Sequence, residues 1–160
     1  MTLHILKVGG KVIDDLALLR PILESFLQKE GKKIIVHGGG KKASELSEKL
    51  GIAVQMVNGR RITDSASLEV ATMVYAGLFN KQIVALLQSL GGNALGLSGA
   101  DGNVILAHRR PVKEIDYGFV GDLDAINAPA IQRLLSAEFT PVFCAITHDG
   151  QGQLLNTDAD

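Results

Sequence analysis

Residues 3–10 read Leu3-His4-Ile5-Leu6-Lys7-Val8-Gly9-Gly10, and residues 33–40 read Lys33-Ile34-Ile35-Val36-His37-Gly38-Gly39-Gly40. Each is a short apolar run that stops at a glycine cluster, the pattern of a buried strand ending in a tight turn. Between them Leu16, Leu19, Ile22, Leu23, Phe26 and Leu27 recur at helical spacing and Gly31 supplies a stop, which predicts an amphipathic helix over 16–28. After the second cluster Ala43, Leu46 and Leu50 predict a short helix ending at Gly51. Strand, helix, strand, helix with near-continuous apolar strands predicts an α/β fold whose mainly parallel sheet is covered on both faces.

The pattern continues downstream. Thr63 or Ser65 can cap a long helix reaching about Leu90, along which Leu68, Ala71, Val74, Tyr75, Leu78 and Leu86 trace one face. Val70, Met73, Phe79 and Ile83 make a second stripe, and a helix apolar on two sides needs two partners, so a homodimer through the helix near 65–90 is expected. Ala94 to Leu97 reads as a third core strand. Asp101-Gly102 and the run Val104–Ala107 predict a more exposed hairpin arm reaching about Gly121. A helix over Pro129–Ala137, with Asn127 as its cap, precedes one further buried strand, Thr140–Ile146, and the turn Asp149-Gly150-Gln151-Gly152.

Composition narrows the function. The 160 residues suffice for one domain with a real core, and a hydrophobic share of 46% with 21% charged residues fits a folded globular chain. A formal net charge of -1 gives no long-range field to gather nucleic acid or an anionic membrane, and 4% aromatics without Trp argue against base-stacking platforms. Cys144, the only cysteine, lies in an apolar run, which excludes an intramolecular disulfide, and four scattered histidines show no metal-ligand spacing. With no signal segment ahead of the first strand, the expected compartment is the cytoplasm.

Ligands of open α/β sheets bind at the carboxyl ends of strands, where both glycine clusters fall. Glycine lets backbone amides approach a ligand, and the following helix amino terminus favours an anion, so Gly38, Gly39 and Gly40 read as a phosphate cradle. Lys7, one residue before the end of an apolar strand, reads as a phosphate contact beside the Gly9-Gly10 turn. Of Arg60 and Arg61, after the Asn58-Gly59 turn, one can hold a carboxylate with paired donors. A P-loop is excluded because Lys42 follows Gly40-Lys41 and Ile35 stands five before Gly40. Gly38, Gly40 and Ala43 match the dinucleotide pattern G-x-G-x-x-A, although Asn58-Gly59-Arg60 stands where its acidic residue belongs, and this is the alternative reading. A non-catalytic phosphate-binding module is a further alternative. Gly96-Leu97-Ser98-Gly99-Ala100 lacks the last glycine of a serine-hydrolase elbow.

Taken in order, Lys7-Val8-Gly9-Gly10, Val36-His37-Gly38-Gly39-Gly40, Asn58-Gly59-Arg60-Arg61-Ile62-Thr63 and Asn156-Thr157-Asp158-Ala159-Asp160 resemble the successive signatures of the acetylglutamate kinases, within the amino acid kinase family. The resemblance implies a three-layer αβα sandwich around a mainly parallel open sheet. It also implies ATP-dependent phosphorylation of the γ-carboxylate of N-acetyl-L-glutamate, or of N-succinyl-L-glutamate, in arginine biosynthesis, with Mg2+ carried by the nucleotide and no metal site on the protein. Lys7 would stabilise the transferring phosphoryl group, and amides around Gly9, Gly10 and Gly38 would hold phosphates. Gly39, Gly40, Arg61 and Asn156 would bind the acylglutamate, and Asp160 would organise the catalytic lysines. Residues 1–160 would then be the amino-terminal, acylglutamate-binding part of the domain, inactive alone, with the adenine pocket and a second catalytic lysine beyond Asp160. The resemblance lacks the helix ahead of Leu3 with which arginine-inhibited members form rings, which speaks against feedback control by arginine.

Overall fold

A computed structural model describes residues 2–39 and 41–160. Its central sheet contains β1 (Leu3–Val8), β2 (Lys32–His37), β8 (Thr140–Cys144) and β5 (Ala94–Leu97), in that spatial order and all parallel. Alternation along each strand sorts side chains to the two faces. One face carries Val8, Ile35, Val142 and Cys144 against Leu19, Leu23 and Phe26 of α1 (Leu16–Leu27) and against a long helix, Ser65–Ser89. The other carries Ile34 and Phe143 against Ala130 and Leu135 of α5 (Ala128–Ser136). Helices on both faces make the three layers that the sequence predicted.

Caps explain where helices begin. Asp15 accepts from the amides of Ala17 and Leu18 at the start of α1, and Asn127 accepts from Ala130 at the start of α5. At the long helix the cap is Asp64, which accepts from Ser67, rather than Thr63 or Ser65. Thr63 is fully buried and its hydroxyl is used elsewhere.

The long helix departs from the expected uniform α-helix. It runs as α3 (Ser65–Thr72), a π-helical segment (Met73–Phe79) and α4 (Asn80–Ser89). By length and composition it is apolar enough to cross a membrane. Yet Val70, Val74, Tyr75, Phe79, Ile83 and Leu87 are buried in the core, so both proposed stripes serve this subunit. Of its large apolar side chains, Met73 and Leu78 are the exposed ones, at 52% and 41%.

Two further expectations shift. The run Thr140–Ile146 is two strands: β8 ends at Cys144, and β9 (Ile146–His148) joins a second sheet ordered β10-β9-β6-β7. There β6 is Ile105–Arg109, β7 Gly121–Ile126 and β10 Leu154–Asn156. Asp101-Gly102 is not the hairpin turn of the arm, because the Asp101 carboxylate accepts from the amide and hydroxyl of Ser98 and folds the chain back at the end of β5. The arm is β6 paired with β7, antiparallel, through the loop 110–120.

Register positions the site. Val8 lies opposite His37, and His37 opposite Cys144, so β1, β2 and β8 end level with one another. Gly9-Gly10, Gly38-Gly39 and Ala145 therefore emerge side by side at one sheet edge. α2 (Lys41–Lys49) and the short hairpin of β3 (Met56–Val57) and β4 (Arg60–Arg61) close over it.

Candidate active site at the carboxyl edge of the sheet

A cavity of about 470 Å³ occupies this edge, within the usual size for small-ligand sites. Lys7 reaches it from β1 and its ammonium meets the Asp160 carboxylate at 2.5 Å. Both partners are solvent-exposed, and an exposed ion pair contributes little to stability. Its structural consequence is orientation: Lys7 is held over the Gly9 turn, where a Cβ on Gly9 would stand 3.3 Å from the lysine Cε and Nζ. The lysine therefore lies against a bare backbone.

The second wall comes from β4 and the long helix. Arg61 donates through Nη2 to the Ser44 hydroxyl at 2.6 Å. Tyr75, from the π-helical segment, packs so tightly on the glycine loop that a Cβ on Gly39 would overlap its ring. Burial pushes the Tyr75 phenol above its usual range, against the opposing pull of Arg61, so the ring is a neutral wall. Asn156, from β10, donates through Nδ2 to the Thr63 hydroxyl at 3.1 Å and lines the cavity. Backbone bonds from Thr157 to Ala145 and from Asn156 to Phe119 tie this segment to the sheet edge and the arm.

The arm supplies a third wall. Arg110 lies over Tyr117, with its guanidinium carbon 5.6 Å from the ring centroid, and is bonded to Asp122 at 2.5 Å through Nη2. The paired guanidinium holds the Asp122 carboxyl below the ordinary carboxylate range. Lys7, Lys41, Arg60, Arg61 and Arg110 line the cavity, against Asp158 as the lining carboxylate. With Lys7 paired to Asp160 and Arg110 to Asp122, the charges of Lys41, Arg60 and Arg61 still outnumber Asp158. A concave site with that excess suits a polyanion, although the whole chain is nearly neutral.

The structure thus gathers Lys7, Gly9, Gly10, Gly38, Gly39, Arg61 and Asn156 around one cavity, with Asp160 joined through Lys7. Gly40 lies outside the described residues. Arg60, the other arginine of that turn, also lines the cavity.

Comparison with known proteins decides the family. The model of the amino acid kinase family matches residues 2–160. This chain belongs to the amino acid kinase family. Among relatives, acetylglutamate kinase of Bacteroides fragilis is 53% identical over 158 residues, covering 99% of this chain and 60% of that protein. The same-named protein of Cytophaga hutchinsonii is 54% identical over 159 residues, again covering 99% and 60%. The chain therefore spans about three-fifths of the length of these relatives. Among solved structures, smu.665 from Streptococcus mutans UA159 superimposes with a TM-score of 0.80 at 24% identity, over 98% of this chain and 64% of that one. At that identity the likeness concerns the fold.

Around this cavity of the amino acid kinase chain, the sequence reading missed Lys41, Ser44, Tyr75 and Arg110. Tyr75 reads as an ordinary apolar member of a helix stripe. Arg110 stands in a loop whose approach to the cavity depends on the pairing of β6 with β7. Lys41, directly after the glycine run, was the one omission with a local signal.

Proposed function

We propose that the protein carrying this chain transfers the γ-phosphoryl group of ATP to the γ-carboxylate of N-acetyl-L-glutamate, or of N-succinyl-L-glutamate, giving an acyl phosphate and ADP in arginine biosynthesis. The observation that carries the proposal is the Lys7–Asp160 pair over the Gly9 turn, in a cation-lined cavity shared with Arg61 and Asn156. The names of the relatives point the same way.

The chemistry fits these residues. A glutamate γ-carboxylate has a reference pKa of about 4.3, so it is ionised at neutral pH and needs no general base. Its oxygen attacks the γ-phosphorus while the bond to the β–γ bridging oxygen breaks. The obstacle is repulsion between two anions, which fixed positive charge and backbone donors relieve. Lys7 would stabilise the transferring group and Asp160 would keep that lysine in place. Amides at Gly9, Gly10 and Gly38 would hold phosphates, while Gly39, Gly40, Arg61 and Asn156 would bind the acylglutamate. Mg2+ would enter with the nucleotide as counter-ion to its phosphates. Residues 1–160 would form the acylglutamate-binding part, with adenine contacts and a second lysine supplied by chain outside them, so that these residues alone turn over little substrate. The enzyme would be cytoplasmic, without nucleic-acid or membrane partners, and a homodimer through the helix 65–89.

The test gives the full-length protein MgATP with each candidate acid and traps the acyl phosphate with hydroxylamine. Hydroxamate should form with an N-acylglutamate and not with free glutamate or aspartate. ATP binding without hydroxamate from any acid would favour a phosphate-binding module, and tighter binding of NAD than of ATP would favour the dinucleotide alternative.

A further inference from the structure

Behind the glycine loop lies a buried polar chain that the proposed chemistry leaves unused. His37 is fully buried; its Nδ1 is 2.8 Å from the Gly38 carbonyl oxygen and its Nε2 is 3.1 Å from Asn80 Nδ2. Asn80, also buried, uses the same amide nitrogen to bond the Val142 carbonyl at 2.9 Å, and its oxygen accepts from Lys81 at 2.9 Å. A carbonyl can only accept, so Nδ1 carries the imidazole proton and Nε2 accepts from Asn80. One tautomer is thereby fixed at both ends. Burial supports it by holding the imidazole neutral, with a pKa lowered to about 4, and the Lys81 charge works in the same direction.

We infer that His37 and Asn80 are positioning residues for the substrate-binding loop, fixing the Gly38–Gly39 peptide so that its N–H faces the cavity. The peptide is planar and trans, so the carbonyl of Gly38 and the amide of Gly39 point in opposite directions. Drawing the carbonyl toward buried His37 turns the amide away from the core, and both glycines line the cavity. Tyr75 packs against the loop from the side, as Gly39 has room for no Cβ there. The π-helical segment presents both controls: it contains Tyr75 and ends immediately before Asn80. Such segments recur at functional sites. Freed from His37, the peptide can rotate and the amide no longer meets the ligand in a fixed direction.

This inference rests on the acylglutamate reading for its ligand but not for its geometry, and the test separates the two. In the full-length protein, imidazole-nitrogen NMR should show His37 as the neutral Nδ1–H tautomer throughout pH 6 to 8; an Nε2–H tautomer or an imidazolium would overturn the assignment. His37→Asn keeps a donor near Nδ1, whereas His37→Gln keeps only a group near Nε2. In the hydroxylamine assay, His37→Gln should raise KM for the acylglutamate on the order of tenfold, the scale of one lost hydrogen bond to a bound ligand. His37→Asn should recover most of that loss, although it leaves Asn80 with a poorer partner. Equal KM changes in the two variants, or changes that follow their melting temperatures, would reduce His37 to a structural role. Should the wild type yield no hydroxamate, the acylglutamate reading falls, and the NMR result still decides the placement of His37.

Discussion

Lys7 is the residue on which the proposed chemistry most depends. Its ammonium sits over a bare glycine turn, so Lys7→Ala in the full-length protein should lower kcat by on the order of a hundredfold or more with little change in fold, measured as trapped hydroxamate. Arg61 should behave differently, because a donor to a ground-state carboxylate acts as much on binding as on turnover. Arg61→Ala should raise KM for the acid, and an effect confined to kcat would contradict that role. His37 makes a separate prediction about stability. Its pKa falls from 6.5 to about 4 on folding, so between those values the unfolded chain takes up a proton that the folded chain refuses. Stability should therefore decline as pH falls from about 6.5 to about 4, with the loss complete below it. Urea titrations across this window should show the slope, and His37→Asn should flatten it. The shifted carboxyls Asp64, Asp116, Asp122 and Asp149 all start from 3.8 and are lowered further, so their contribution is lost only at more acid pH.

Among the elements, the long helix combines two tasks: it fills the core on one side of the sheet and presents Tyr75 and Asn80 to the glycine loop. A regular α-helix repeats every 3.6 residues, so the wider π turn changes which later residues face the sheet. Gly77 lies in that segment, and a Cβ there would meet nothing within 4 Å. Glycine inside a helix costs about 0.5–1 kcal/mol relative to alanine. Gly77→Ala should accordingly raise the midpoint of thermal unfolding without altering KM; a lower midpoint would show that the π segment requires glycine's backbone freedom. Elements were legible in the sequence where a clear period met a stop or a cap, as in α1 before Gly31 and α5 after Asn127. They were misread where a side chain had a tertiary partner. Thr63 looks like a helix cap, but Asn156, distant in sequence, claims its hydroxyl, and Asp64 caps instead. The break after Cys144 had no local signal because the chain stays apolar from Pro141 through Ile146.

For the whole molecule, the question left by burial is what covers the helix 65–89. Phe79 and Ile83, which the sequence offered as an interface stripe, pack inside this subunit. Met73 and Leu78 keep an exposed apolar surface, and a two-fold interface would pair that surface with itself. Leu78→Glu should shift the full-length protein toward monomer in sizing measurements, since a charge buried at the interface would lack a partner. An unshifted dimer would place the interface elsewhere. The charge distribution also belongs to this scale: a chain of formal net charge -1 concentrates five basic side chains around one cavity. Sequence alone determined the α/β architecture, because apolar strands and amphipathic helices each carry their own period. It also marked the sheet edge bearing the site, because glycines, lysine and strand ends coincide within a few residues of one another. Tertiary structure decided what surrounds them. Arg110 reaches the cavity, Tyr75 the glycine loop and Asn80 the adjoining His37 from tens of positions away, through strand register and a change of helical pitch. Such placement follows from packing that no local pattern encodes.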